Sequence, residues 1–265
     1  MSLFVYSAPR LFIENSLKSG DQQTNSCFKF QEQAAVPLSA DQEHYLLHVM
    51  RLKEGDTILV FNGQDGEWLA TMRMVTRKKA EVVLQKKIRE QSCAIDLYYY
   101  FAPLKHARLD YTVQKAVEMG VRGLGPVLTE RTQIHRVNED RIRANCIEAA
   151  EQCGILSLPD IKPLMKLETC LEHLEMDRVL IFCDEETPCT NPLEVLISLK
   201  NTYQKFAVLI GPEGGFSERE RERILQHEQT ARLSLGPRIL RADTASVAAL
   251  TLVQSCLGDW KDDKG

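Results

Sequence analysis

Several patterns that carry well-known chemistry are missing from this chain of 265 residues. Its eight cysteines include no CxxC pair, which excludes a zinc ribbon and predicts free thiols in a reducing cytosol. No GxxxxGK[ST] occurs, and Gly123-Leu-Gly125 lacks the third glycine of a dinucleotide fingerprint. No apolar run reaches membrane-span length, and Met1–Arg10 has no basic stretch before an apolar one. We therefore expect neither a membrane helix nor a signal peptide.

An excess of positive charge is also missing. The formal net charge of −4 argues against a protein that coats nucleic acid indiscriminately. The segment from Arg73 to Arg89 is locally basic, with seven Lys or Arg residues and one Glu. This segment fits a hairpin edge protected by lysines, and the alternative is a weak or selective contact with a polyanion.

Residues 1–92 have the pattern of a small β-rich module. Short β-branched runs predict strands at Thr57–Phe61 and Glu67–Val75, joined by a turn at Asn62–Gly66. Ser39 and Gln42 have the spacing of a capping box, which predicts a helix start there. We interpret this part as a compact β-barrel domain.

Residues 93–265 alternate apolar strands with helices. This order predicts an α/β domain with a mainly parallel sheet and helices on both faces. The predicted strands include Ile95–Ala102, Val127–Leu128 and Val179–Cys183, and the predicted helices include Arg108–Met119, Asn138–Cys153, Leu167–Leu174 and Pro192–Leu199.

Two segments near the end of the chain share one plan. Ala207–Ile210 and Ala231–Leu235 are short apolar strands, and each runs into a Gly/Pro loop and then into a helix start. Glycine-rich loops at the ends of strands in open α/β sheets expose backbone N–H and C=O groups that can bind a ligand. They predict a small-molecule site, with an apolar slot and backbone hydrogen bonds suited to an adenine. The slot is expected from Leu209, Ile210, Leu235, Ile239 and Leu240, and the backbone groups from Gly211, Gly214, Gly236 and Leu240.

The pair LIGPEGGFSERE (209–220) and LGPRILRADTASVAAL (235–250) closely resembles the signature of the knotted SPOUT class of RNA methyltransferases, and more narrowly of the RsmE family. LDYTVQKAVEMGV (109–121), Glu130-Arg-Thr132 and IEAAEQCG (147–154) resemble further family segments in the same order. HYLLHVMRLKEGD (44–56) and Phe61-Asn-Gly resemble the family's PUA-like RNA-binding barrel. The chain departs from the family at Ala242 and Asp243, where Thr and Glu are usual.

The resemblance implies an S-adenosylmethionine-dependent enzyme that methylates N3 of one uridine in small-subunit (16S) ribosomal RNA. It also implies a trefoil-knotted parallel sheet in the C-terminal domain and a homodimer. The cysteine pattern and the lack of long apolar runs predict a cytoplasmic protein without membrane association. A 2′-O-ribose RNA methyltransferase and a non-catalytic RNA-binding assembly factor remain as alternatives.

The resemblance places the cofactor on the two loops and the RNA on basic residues of both domains. The expected cofactor-binding residues are Leu209, Ile210, Gly211, Pro212, Glu213, Gly214, Gly215, Leu235, Gly236, Ile239, Leu240, Arg241, Thr244 and Ala245. The expected RNA-binding residues are Arg10, His48, Arg51, Lys105, Arg108 and Arg131. His44 and His48, four residues apart without an HExxH glutamate, are interpreted as surface or RNA-facing groups and not as metal ligands.

Methyl transfer to N3 requires stabilisation of a developing uridine anion, and a fixed guanidinium suits that task. Arg241 is the first candidate, with an ion pair to Glu213 or Asp243 as the alternative. Glu213 is expected to bind the cofactor, to act as a base, or only to favour a helix N-terminus by its charge. Thr244 is expected either to hydrogen-bond a ligand or to cap its helix.

Overall fold

A computed structural model describes residues 8–14, 29–76, 79–92, 94–188 and 191–260. The chain forms two compact units, one of Met1–Cys93 with Ala150–Ser157 and one of Ala94–Ala149 with Leu158–Gly265. The sequence pattern predicts one division, after residue 92, and gives no sign that residues 150–157 group with the first unit. No helix among the described residues is both long and apolar enough to cross a membrane.

The first unit contains a five-stranded sheet in the order β1–β3–β4–β5–β2. The pair β1–β3 is parallel and the other three pairs are antiparallel. Alternate residues such as Ile58 and Val60 are fully buried, and they pack with Leu46 in one core. The strands are β1 (Arg10–Phe12), β2 (Ala35–Pro37), β3 (Thr57–Phe61), β4 (Glu67–Thr76) and β5 (Lys79–Arg89).

The predicted capping box is confirmed. The Ser39 hydroxyl accepts a hydrogen bond from the Gln42 backbone N–H at 3.2 Å, and the Gln42 side chain accepts one from the Ser39 N–H at 2.9 Å. The helix α1 (Ala40–His44) then continues as a π-helical turn over Tyr45–Val49.

The second unit is built on a sheet in the order β12–β10–β11–β6–β7–β8, and β9 also pairs with β7. Every pairing in it is parallel. The strands are β6 (Asp96–Phe101), β7 (Gly123–Leu128), β8 (Asp160–Ile161), β9 (Met165–Lys166), β10 (Arg178–Cys183), β11 (Lys205–Ile210) and β12 (Thr230–Leu233). The helices that begin in this unit are α2 (His106–Glu118), α3 (Glu139–Cys153), α4 (Leu167–Glu172), α5 (Pro192–Leu199), α6 (Glu218–Leu225) and α7 (Ala242–Leu257). The last four residues of α3, 150–153, group with the first unit.

Helices cover both faces of this sheet, as predicted. On one face, Leu209 of β11 belongs to a core with Leu171 of α4 and Ile224 of α6. On the other face, the Tyr99 hydroxyl of β6 hydrogen-bonds the Ser246 hydroxyl of α7. Because successive strand residues point to opposite faces, Leu209 and Ile210 belong to different layers. The threading of α7 through a knot stays a prediction.

The strand β7 is longer than predicted, because Gly123 and Gly125 belong to it. A Cβ at either position would overlap the ring of a tyrosine on the neighbouring strand, Tyr98 or Tyr100. These glycines therefore make room for aromatic rings within the sheet and do not form a nucleotide loop.

Free thiols are found at the five cysteines among the described residues, Cys146, Cys153, Cys170, Cys183 and Cys256. Cys27, Cys93 and Cys189 lie outside the described residues.

Candidate functional site: a cleft at three strand ends

Three loops meet at one edge of the parallel sheet. The strands β12, β10 and β11 are neighbours in the sheet and run in the same direction, so the segments that follow them lie together. They enclose a cleft of about 480 Å³, a volume in the range of small-molecule sites. The cleft is lined by residues 182–187, 210–213, 215, 216, 221, 233–242 and 245.

The loop after β11 needs two of its glycines for different reasons. A Cβ at Gly211 would lie 2.5 Å from Cε2 of Phe216, whose ring packs edge-on against Phe182. Gly215 has φ +67°, and a Cβ there would overlap the Glu185 carboxylate. The loop therefore folds back tightly on its own aromatic ring and approaches the segment that follows β10.

The helix α6 starts where the sequence predicts. The Ser217 hydroxyl accepts from the Glu220 N–H at 3.3 Å, and Glu220 Oε2 accepts from the Ser217 N–H at 2.9 Å. Glu220 is buried, and its other oxygen accepts from the Glu130 N–H at 2.7 Å. This capping box therefore also fixes the glycine loop against the segment after β7.

The loop after β12 is the more open wall. Gly236 has φ +97° with nothing within 4 Å of its Cβ position. The positive φ angle, and not a lack of space, is therefore the reason for glycine at this position. Leu235 and Leu240 are partly buried, whereas Ile239 is 93% exposed. Ile239 therefore borders the cleft without forming the buried apolar slot that the sequence analysis expected of it.

Most of the predicted cofactor-binding residues line the cleft, and three do not. Leu209 is 1% exposed and faces the α4–α6 core, because strand alternation turns it away from Ile210. Gly214 lines a neighbouring hollow instead. Thr244 is exposed two residues inside α7, whose N-cap is Arg241, so the expected capping role for Thr244 is wrong.

The wall after β10 was missed in the sequence. Its central group is Asp184, whose side chain is only 2% exposed. Burial works against ionisation of this carboxyl, but hydrogen bonds from Arg221, the Glu186 N–H, Thr187 and Arg232 outweigh it and hold the pKa of Asp184 below its ordinary value. The signal that would have found this wall is an acidic run directly after a buried strand of the same sheet.

Charged side chains bridge the first loop to the start of α7. Arg108 forms an ion pair with Glu213, and its Nε lies 3.7 Å from Asp243 Oδ2. Glu213 and Asp243 are the two carboxylates that the sequence suggested as ion-pair partners of Arg241. Among the residues that the structure describes, Arg241 forms no ion pair, and it is exposed at the cleft.

A basic hollow of about 170 Å³ lies beside the cleft. Pro212 and Glu213 line both, so the first glycine loop separates them. The hollow brings together Lys105, Arg108 and Arg131, three of the predicted RNA-binding residues. Arg131 also donates from Nη1 to the Gly214 carbonyl at 2.7 Å, which ties it to the loop. The other residues that line the hollow are Pro103, Leu104, Gln133, Ile134 and Gly214.

The first unit corrects one predicted RNA contact. The Arg10 side chain is 13% exposed and its Nε lies 2.9 Å from Glu67 Oε1. Glu67 is 1% exposed and also pairs with Arg89, so Arg10 neutralises a buried carboxylate and is not placed to meet a phosphate. His48 and Arg51 are exposed, which is consistent with the predicted contact.

Comparison with known proteins points to one family. A family model described as an RNA methyltransferase domain matches residues 91–254, and an RNA methyltransferase PUA domain matches residues 38–85. The chain is 30% identical to the ribosomal RNA small subunit methyltransferase E of Rickettsia conorii, over 84% of this chain and 91% of that protein. It is 28% identical to the protein of that name from Buchnera aphidicola subsp. Acyrthosiphon pisum, over 96% and 95% of the two chains.

Solved structures agree on the fold. The Neisseria gonorrhoeae ribosomal RNA small subunit methyltransferase E, solved with bound S-adenosylmethionine, superposes with a TM-score of 0.80 at 23% identity, covering 96% of this chain and all 100% of that one. A Legionella pneumophila protein in complex with the same cofactor gives a TM-score of 0.77 at 25% identity, covering 95% and 99% of the two chains. From the matched domains, the full-length relatives and the shared fold, this chain belongs to the ribosomal RNA small subunit methyltransferase E family.

Proposed function

We propose that this chain transfers a methyl group from S-adenosylmethionine to N3 of a uridine in small-subunit ribosomal RNA. The observation that carries the proposal is the cleft between the glycine loops after β11 and β12, with a basic hollow beside it. Relatives named as small-subunit ribosomal RNA methyltransferases support the substrate class. The N3 position rests on the resemblance to the RsmE family.

The cleft has the properties that a nucleoside-bearing cofactor needs. Phe182, Ile210 and Leu235 supply apolar lining, and the loops supply backbone N–H and C=O groups at their glycines. A side chain at Gly211 would fill part of this space through its overlap with Phe216. The cofactor, when bound, supplies an electrophilic methyl group on a sulfonium. The chain's own task is therefore to hold the acceptor nitrogen in line and to stabilise the charge that develops on it.

Arg241 is the residue that we assign to charge stabilisation. Uridine N3 becomes nucleophilic as its proton leaves and negative charge spreads over O2 and O4. Arg241 is exposed at the cleft, and its two candidate partners, Glu213 and Asp243, pair with Arg108 instead. It is also the N-cap of α7, where unpaired backbone N–H groups add to the positive potential.

Glu213 is assigned a binding role in preference to a role as general base. Its carboxylate is paired with Arg108 and is therefore already engaged in an ion pair at the boundary of the cleft. Because Glu213 lines both the cleft and the hollow, it can hold a donor group of the cofactor while Arg108 faces the RNA.

The hollow of Lys105, Arg108 and Arg131 is proposed as the RNA-facing surface of this domain. Contacts of lysine and arginine with phosphates supply salt-dependent affinity and fix the position of the strand. His48 and Arg51 are proposed as further contacts from the first domain.

We further propose that the chain works as a cytoplasmic homodimer. Ala245 and Ala248 leave a small-sided, partly exposed strip on α7, which suits close packing against a second copy. Light scattering coupled to gel filtration tests this: a mass near 60 kDa supports a dimer of the 30.1 kDa chain, and a mass near 30 kDa contradicts it.

The test of the reaction is methylation of small ribosomal subunits purified from a strain that lacks this gene. Nucleosides from the treated RNA are separated and identified by mass spectrometry. N3-methyluridine that depends on the wild-type chain and is lost with Arg241→Ala supports the proposal. A 2′-O-methylated nucleoside would favour the ribose alternative, and no methylation despite RNA binding would favour an assembly factor.

A further inference from the structure

One buried carboxylate is bonded to all three elements that carry the walls of the cleft. Asp184 follows β10 directly and lies in the wall of the cleft after that strand. Arg221 of α6 donates to it from Nε at 3.2 Å and from Nη2 at 3.1 Å. Arg232 of β12 donates from Nε to Asp184 Oδ2 at 3.0 Å, and its Nη2 lies 2.8 Å from the same oxygen.

The same carboxylate also shapes its own loop. The Glu186 N–H donates to Asp184 Oδ1 at 3.1 Å, and the Thr187 hydroxyl donates to Oδ2 at 3.0 Å. Arg232 Nε bonds Thr187 as well, at 2.8 Å. These bonds close a tight turn at the end of β10.

Each of the two arginines lies a few residues from a glycine loop. Arg221 is four residues beyond Ser217, where the first loop passes into α6, and Arg232 is two residues before Ser234, where the second loop begins. The turn at residues 184–187 also meets the first loop directly, because the Glu185 carboxylate lies where a Cβ of Gly215 would be. A displacement of the Asp184 carboxylate would therefore shift the segments after β10, β11 and β12, which form the three walls of the cleft.

We infer that Asp184 is a positioning residue for the cofactor, setting the relative placement of the three loops without touching the reacting atoms. This inference rests on the proposed function, since the ligand is taken to be S-adenosylmethionine. Removing this carboxylate takes away the anion that Arg221 and Arg232 share, and Arg221 is then left with Glu186 at 3.3 Å and Glu218 at 3.5 Å.

The experiment compares cofactor binding by wild type, Asp184→Asn and Arg232→Gln. The asparagine keeps the size of the side chain but removes its charge and turns an N–H₂ group toward arginine donors. Arg232→Gln loosens only the β12 side, at a residue that is 35% exposed, and so keeps the test available if Asp184→Asn does not fold. Asp177→Asn is the matched control, because Asp177 precedes the same strand at its opposite end and pairs with Lys205 at 2.9 Å.

Calorimetry with S-adenosylmethionine should give a Kd raised about 10- to 100-fold for Asp184→Asn, because removing one partner of a buried ion pair is strongly unfavourable and the loops that bind the cofactor share that cost. Arg232→Gln should show a smaller rise in the same direction and Asp177→Asn none. In the methylation assay, kcat at saturating cofactor should stay near that of wild type while the KM for cofactor rises.

Thermal unfolding separates positioning from stability alone. If Asp184→Asn or Arg232→Gln lowers the unfolding temperature but binds cofactor as wild type does at a temperature where it is folded, the inference is overturned. A fall in kcat with an unchanged KM for cofactor would overturn it too. If wild type itself does not bind S-adenosylmethionine, the proposed cofactor fails and this inference fails with it.

Discussion

Replacing Gly211 by alanine is the sharpest single perturbation of the cleft. The new Cβ would lie 2.5 Å from Cε2 of Phe216, 2.9 Å from Cδ2 and 3.1 Å from Cζ. Ordinary contacts between carbon atoms are about 3.5–4.0 Å, so the ring must move by about 1 Å. The ring is not free to do so, because it packs edge-on against the buried Phe182 at a centroid distance of 5.3 Å.

The expected cost follows from overpacking. Inserting a methyl group into a tightly packed site typically costs about 1–3 kcal/mol. Replacing glycine by alanine also lowers the conformational entropy of the unfolded chain, which stabilises the fold by about 0.4–1 kcal/mol and offsets only part of that cost. Phe182 and Phe216 both line the cleft, so the same displacement alters the ligand site. We expect a lower free energy of unfolding by about 1–3 kcal/mol and a Kd for S-adenosylmethionine raised about tenfold, which is about 1.4 kcal/mol.

The assay pairs chemical denaturation with calorimetry, and Gly236→Ala is the matched control. Gly236 has φ +97° and open space around its Cβ position, so its substitution imposes backbone strain without a steric overlap. A double variant, Gly211→Ala with Phe216→Leu, should recover part of the lost stability because the smaller side chain vacates the contested space. Wild-type stability and wild-type cofactor affinity in Gly211→Ala would refute the steric argument.

Three further predictions concern charge. Arg241→Ala should lower kcat by about 10²–10³ with little change in cofactor affinity, the size of effect found for removing one donor to a developing anion; an unchanged kcat would remove Arg241 from catalysis. Lys105→Ala should weaken RNA binding and reduce the slope of log affinity against log salt by about one, and an unchanged slope would place Lys105 away from phosphate. Burial lowers the pKa of His227 below its ordinary value, so the unfolded chain takes up this proton at a higher pH than the folded chain. Stability from this group is full above about pH 6.5 and declines as the pH falls through the folded pKa; His227→Gln should flatten that part of a pH–stability curve, and an identical curve would contradict the assignment.

The glycine loops and the helix starts could be predicted because their causes are local in sequence. The Ser217–Glu220 and Ser39–Gln42 capping boxes are each formed within four residues, and both are present in the structure. The parallel sheet followed from the alternation of strands and helices, which is also a local pattern.

An acidic run after a buried strand marks the position of the third wall, the one after β10, but the burial of Asp184 could not be predicted because its partners are distant in sequence. An aspartate in a run of acidic residues has the pattern of a surface loop, and Asp184 is buried only because Arg221 and Arg232 fold against it from 37 and 48 positions away. Arg10 was misjudged for the same reason, since its partner Glu67 is 57 residues away. Ion pairs of this kind depend on tertiary contacts that periodicity does not encode.

Two glycines have a structural role that differs from the one their sequence pattern suggests. Gly123 and Gly125 appear in the sequence as an incomplete nucleotide fingerprint, and the predicted strand began only after them, at Val127. In the folded chain they are strand residues that make room for Tyr98 and Tyr100 of the neighbouring strand. Which neighbour a strand glycine accommodates is set by sheet register, and register appears only when the strands are paired.

The most direct measurement of the central claim is a crystal structure of the chain soaked with S-adenosylmethionine. We predict density for the cofactor between the loop at residues 211–216 and the loop at residues 234–241, with its methyl group open toward Arg241. Density bound elsewhere on the sheet, or a cofactor that leaves both loops uncontacted, would contradict the account.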